Sequence, residues 1–242
     1  MSTLATMSKK TLSRQKFSIL SAVAAIVGVL MLGTSFAINE GPDPSATNEQ
    51  LIAFGQQNAH AILVGAWLQA VGPLFIVMFA FALVLLAGAA RRLSGWMTLL
   101  GSALLMFVSL VEVVFYMAAL NTNFALMAII SIDITHSIQH LYFFVAAPAL
   151  FIPLGLVVFS SDILPHVFGY LALILGAVFI VVGITSLYSL VLSSLDTSLA
   201  AVQALWWLAA AIVLMVRSRR LLAVIPTSQD SVRMDVLDSP VA

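Results

Sequence analysis

The sequence predicts an all-α polytopic membrane protein, a bundle of six transmembrane helices. Three observations predict it. Of the 242 residues, 62% are hydrophobic and only 8% are charged, where a soluble domain carries about a quarter charged residues. The apolar residues gather into runs long enough to cross a bilayer as helices, not into alternating strands of about ten residues. In hydrocarbon, such runs satisfy their own backbone hydrogen bonds only as helices. Finally, all ten Lys and Arg residues fall in alternate connections, the positive-inside pattern of a multi-pass chain.

Composition also closes off classes of function. The chain has no Cys, so disulfides, thiolate metal sites, c-type haem attachment and thiol nucleophiles are excluded. No basic cluster exceeds a short juxtamembrane group, which argues against nucleic acid as a partner. No connection is long enough to hold a soluble domain. The lipid bilayer is the partner that composition names directly. Phosphate-binding glycine loops, nucleophile elbows and HExxH motifs are absent.

The first helix is expected over residues 17–38, after Lys9, Lys10, Arg14 and Lys16. A signal peptide shares this charge pattern, and Ser35-Phe36-Ala37 resembles a small-x-small cleavage site. The apolar run is nevertheless long for a signal core and right for a span. A retained helix is therefore expected, with 1–16 as a cytoplasmic N-terminus and 17–220 as the six-helix domain. Ser21, Gly28 and Ser35 recur every seven residues as a stripe suited to close helix contact.

Residues 39–58 are polar and contain Gly41-Pro42-Asp43-Pro44-Ser45. The prolines end any helix, and Thr47 with Gln50 reads as a capping box, so the second helix starts before the membrane. It is expected to reach about Ala90, with Pro73 near its middle and Gly65 and Gly72 as a second seven-residue stripe. Arg91-Arg92 closes it. The third helix is expected over about 95–120, with Ser102, Ser109, Glu112 and Tyr116 on one inward stripe. Asn121-Thr122-Asn123 makes a short loop. The fourth helix, about 130–160, holds Asp133, His136, His140, Pro148 and Pro153. The fifth, about 166–192, carries Gly169, Gly176 and Gly183 at intervals of seven. The sixth, about 199–216, contains Trp206-Trp207 and is closed by Arg217, Arg219 and Arg220. Residues 221–242 are expected to form a disordered cytoplasmic tail.

The charge bias puts both termini in the cytoplasm and Asp133 and His136 on the outer side. A parallel repeat of helical hairpins, helices two and three against four and five, is also suggested. His60 precedes Pro73 by thirteen residues and His136 precedes Pro148 by twelve; Gly95-Trp96 matches Gly169-Tyr170.

Polar groups inside hydrocarbon are costly, so each is a candidate for function. Asp133 and His140 lie about 20° apart around their helix, with His136 about 60° from Asp133. His136 and His140 fall about 9 and 15 Å below the outer helix end, and Glu112 about 12 Å below that of its own helix. A carboxylate between two imidazoles is geometrically open to this chain. Glu112, His136 and His140 would suit a divalent metal such as zinc. The same trio would suit a proton relay, or a pair that only fixes helix register. His60 and His136 would serve as axial ligands of a haem b, although no outer Arg is there to hold propionates. His60 and His166 read otherwise as interfacial or loop histidines, Trp206, Trp207 and Tyr188 as packing residues or anchors. Gln69 and Gln203 are expected to line the same interior as Glu112.

The Gly-Pro-Asp-Pro-Ser outer loop and the arginine-marked 91–92 turn resemble those of uncharacterised bacterial six-helix integral membrane proteins. The resemblance covers the six-span core and implies a multi-pass protein of a bacterial inner (plasma) membrane; it implies no catalytic residue. The functional expectation is a small transporter or sensor with an outward-facing Glu/His pocket for a small ligand or ion. A membrane metalloenzyme or haem-binding electron carrier is the first alternative, a structural or partner-binding protein the second.

Overall fold

The computed structural model describes residues 2–38, 47–121, 125–186 and 193–223. The Gly-Pro-Asp-Pro-Ser loop, Tyr188 and the tail from Pro226 lie outside the described residues, as do the side chains of His136 and Asp196. The chain forms α1 (Ser2–Ile38), α2 (Asn48–Leu86), a 3-10 turn (Ala89–Arg91), α3 (Leu93–Asn121) and α4 (Ala125–Leu141). A π-helical segment (Tyr142–Ala146), α5 (Ala147–Phe159), α6 (His166–Ser186) and α7 (Ser193–Ala223) follow. Six helical stretches are long and apolar enough to cross a membrane, α4 to α5 counting as one.

Local chemistry sets the ends. Thr47 caps α2 as expected: its hydroxyl accepts from the Gln50 backbone and Gln50 Oε1 accepts from the Thr47 N–H. At the other end, Gly88 takes φ 63°, a left-handed conformation that stops a helix. The helix accordingly ends at Leu86 rather than at Ala90, and residues 89–91 form the 3-10 turn. The last helix outruns the expected 199–216 at both ends. Hydropathy marks the part of a helix that tolerates lipid, whereas Ser193 and Arg219 suit helical ends in water.

The fourth span is broken where the sequence reading had one continuous helix. Pro148 has no N–H, so the carbonyl one turn earlier loses its usual donor. Ahead of it the backbone widens, with the Ala147 N–H donating to Tyr142 O, five residues back. Pro73 leaves α2 unbroken, so the two hairpins proposed as repeats differ at this point.

The small-residue stripes are the seams of the bundle. Those of α1 and α2 face each other antiparallel. A Cβ added to Gly28 would stand 2.7 Å from Gly72 O, and Ser35 Oγ donates to Gly65 O at 2.8 Å. The α6 stripe rides on the fourth span: Gly169 lies against Gly155 and Phe159, Gly176 against Ile152, and Gly183 against the backbone of Phe143 and Phe144. Such contacts supply the dispersion energy that holds helices together in lipid, where no hydrophobic drive exists between them.

The neighbours in order are α7, α1, α2, α3, the fourth span and α6, with α6 touching α7 again. The centre is aromatic. Phe79, Phe151, Phe179, Trp206 and Trp207 are all buried, and the Phe151 ring lies 5.3 Å from that of Trp207. Trp206 and Trp207 are core residues, so packing rather than interfacial anchoring describes them. Trp206 Nε1 donates to Phe168 O; Trp207 Nε1 has no hydrogen-bond partner among the described residues.

One end of the bundle is basic. Arg14 donates to the carbonyl of Leu86, the last residue of α2, at 2.7 Å. Arg92 donates to Ser160 Oγ and Arg217 to Asp162 O. The carbonyl ends of α2 and α5 lie here, where cations complement the helix dipole. Ser18 and Ser218 share a hydrogen bond of 2.6 Å, joining the first helix to the last.

Candidate functional site at Glu112

The stripe Ser102, Ser109 and Glu112 faces inward and is buried, with Tyr116 half-buried at the end away from the arginines. Glu112 is 7% exposed. Its two carboxylate oxygens accept from two other helices: Oε2 from Gln69 Nε2 at 2.6 Å and Oε1 from Gln139 Nε2 at 2.7 Å. Ser109, about one turn below, donates to the Gln69 backbone carbonyl at 2.7 Å. Spans two, three and four are thus tied at one point by a single acidic side chain.

Each helix delivers its residue to this point by register. At 1.5 Å per residue, Gln69 stands about 26 Å from the basic end of α2, Glu112 about 28 Å from that of α3 and Gln139 about 30 Å from that of α5. The three heights agree. A hydrocarbon layer about 30 Å thick that began at the arginines would end near this cluster. All three residues lie within candidate membrane-spanning helices, toward the end of the bundle opposite the arginines.

The expected imidazole partners are placed as follows. His60 and Asp133 are exposed, and His140 is half-buried beside Gln139. His136 lies in α4, and its side chain is outside the described ones. Among the described residues, no three of His, Cys, Asp and Glu come together as a group that could hold a metal ion. No described basic side chain forms an ion pair with Glu112; the partners seen are amides. His166 opens α6 and is exposed, its ring 5.3 Å from Phe159.

Gln69 joins Glu112 as the sequence suggested. Gln203 is instead bonded to the Tyr142 hydroxyl, in the π segment. Gln139 was missed. Its signal was modest, a neutral polar residue one position before a more conspicuous histidine.

The arrangement can do limited but definite chemistry. Among the described residues the partners of this carboxyl are neutral, so it can take up a proton or a cation without displacing a built-in counter-ion. Its partners are amides, whose terminal torsion is roughly two-fold, so each can present either N–H or C=O. No family model matches the chain, and no curated protein or solved structure does.

Proposed function

We propose that this chain is a small membrane transporter or sensor whose working part is the polar site around Glu112. The observation that carries this reading is a buried carboxyl held, among the described residues, by the amides of two other spans. Intramembrane ionisable residues cluster on ion pathways and proton relays. A residue needed only for packing has no cause to be acidic, since an amide at position 112 would also bridge Gln69 and Gln139. The site lies toward the end opposite the arginines. We take the arginine end as cytoplasmic from the charge bias, so the site opens outward, in a plasma membrane of the bacterial inner type. Asp133 lies about 9 Å outward of Gln139 along α4, on the approach in this reading.

The absence of native Cys makes the test clean. Tyr116→Cys, one turn outward from Glu112, should react with a membrane-impermeant thiol reagent added from outside. Leu100→Cys, exposed near the basic end of α3, should not. Equal protection of both would contradict an outward-facing site. Glu112→Gln should fold and lose any pH- or zinc-dependent change in melting temperature that the wild type shows. Superimposable profiles would leave a structural bundle only.

A further inference from the structure

We infer that Gln69, Glu112 and Gln139 form a binding site for one monovalent cation, an alkali ion or a protonated amine, for which a proton competes. The inference rests on the reading of Glu112 as the working part of a transporter or sensor, and names what it binds.

The first ground is charge. The cluster contains one carboxyl and, among the described residues, no cation paired with it. One negative charge is matched by one positive charge. A divalent ion would leave a net positive charge at the edge of a low-dielectric layer, and divalent sites draw on several carboxylates. The second ground is the donor set. Among the described residues, the side chains bonded to Glu112 offer oxygen as a ligand atom, through Gln69 Oε1 and Gln139 Oε1, with the Tyr116 hydroxyl one turn along α3. Hard oxygen donors suit hard cations rather than soft metals.

The third ground is the response of the amides. In the structure both NH2 groups donate to the carboxylate, at 2.6 and 2.7 Å. If a proton binds, the carboxylic O–H needs an acceptor, and turning one amide over supplies it. When a cation binds, turning both amides over surrounds it with two carboxylate and two amide oxygens. Both carboxyl oxygens have a partner in each of the three states, and no helix need change register. A carboxylate bridged by Lys or Arg could not do this.

The other titratable groups on the surrounding elements do not fill the site. On α2, His60 is exposed and more than two turns outward. On α4, Asp133 is exposed and His140 is half-buried, with no hydrogen bond or ion pair to Glu112; the His136 side chain is not described. Tyr116 is the titratable neighbour on α3 itself. In the π segment, the Tyr142 hydroxyl is engaged with Gln203, and α5 carries no titratable residue.

The test is the melting temperature of the purified full chain in detergent. Sodium, potassium or methylammonium chloride is titrated against N-methylglucamine chloride at constant ionic strength, at pH 8 and at pH 5.5. At least one of the three small cations should raise the melting temperature saturably at pH 8, less so at pH 5.5, and not in Glu112→Gln. An effect of sodium or potassium identifies an alkali-ion site, an effect of methylammonium alone an amine site. Gln69→Met keeps the carboxyl but removes one oxygen donor, and should raise the half-saturating concentration about tenfold or more. A melting temperature that follows pH through Glu112 but ignores all three cations would overturn the cation site and leave the proton-handling reading. Indifference to both pH and cations would overturn the two together.

Discussion

Replacing Gly183 with Leu tests whether α6 and the fourth span are as close as the structure places them. A Cβ at this position would lie 2.7 Å from Phe144 Cα, 2.9 Å from Phe144 N and 3.0 Å from the Phe143 carbonyl carbon. These are backbone atoms and cannot rotate aside. Restoring ordinary contact of 3.4 Å or more requires the two helices to part by about 0.7 Å for the Cβ alone, before the rest of the Leu side chain is accommodated. Overpacking of this kind costs about 1–3 kcal/mol, and the upper end applies because rigid backbone must move. Better helix propensity returns about 1 kcal/mol. The net loss is about 2 kcal/mol, or about 4–8 °C in melting temperature for a chain of this size. Gly33 is the control, because it is exposed and nothing lies within 4 Å of its added Cβ. Gly33→Leu should melt at or slightly above the wild-type temperature. The measurement is thermal unfolding in detergent for both variants side by side. If Gly183→Leu melts no lower than Gly33→Leu, the α6 stripe faces lipid and the seam described above is wrong.

Three further outcomes are expected. Glu112→Leu removes the acceptor of one buried and one half-buried amide donor and should destabilise the bundle by about 1–3 kcal/mol for each donor left unpaired, whereas Glu112→Gln should cost much less; equal melting temperatures for the two would show that Gln69 and Gln139 find other partners. Tyr142→Phe strips Gln203, on α7, of its bond across to the π segment and should cost about 1 kcal/mol, read by chemical or thermal unfolding, with no change expected if the pair is solvated. A reporter active only outside the cytoplasm, fused after Ala242, should give no signal, and a strong signal there would reverse the orientation assumed for the Glu112 site.

Much of the fold was legible because lipid imposes simple rules. Apolar length set the number of spans, and the intervals of seven in Ser21-Gly28-Ser35, Gly65-Gly72 and Gly169-Gly176-Gly183 marked the seams. Their pairing was not legible, since a stripe shows which face packs but not against what. The antiparallel match of Gly28 with Gly72 emerges only once α1 and α2 are side by side. Gly101 escaped notice because it belongs to no stripe, although its added Cβ would stand 2.2 Å from Ala149 O. At the site, Glu112 stood out because charge in an apolar span is rare. Its partners were harder to read: histidines attract attention as titratable groups, while Gln139 differs from its surroundings only by a neutral amide. Helix rotation placed Asp133, His136 and His140 on related faces, but register between α3 and α4 decides which residue reaches Glu112, and one helix alone does not contain that information. The π segment was likewise hidden, because Pro73 and Pro148 look alike in sequence and only Pro148 is preceded by a widened turn.

The bond between Ser18 and Ser218 spans 200 positions of the chain, and this has a consequence for biosynthesis. At about 5–20 residues per second, the first helix leaves the ribosome about 10–40 s before its partner. Gln15 also waits for Ser218, whose carbonyl it meets at 3.0 Å. Through that interval the side of α1 that will meet α7 has only lipid or the insertion machinery against it. The α1–α2 hairpin, sealed by near neighbours in sequence, can be complete long before. Assembly is therefore staged, with an early hairpin that carries an unfinished flank and a last helix that closes the circuit. Ribosome-bound chains stopped before residue 193 should hold α1 and α2 together while leaving Ser18 open to whatever chaperones the membrane provides.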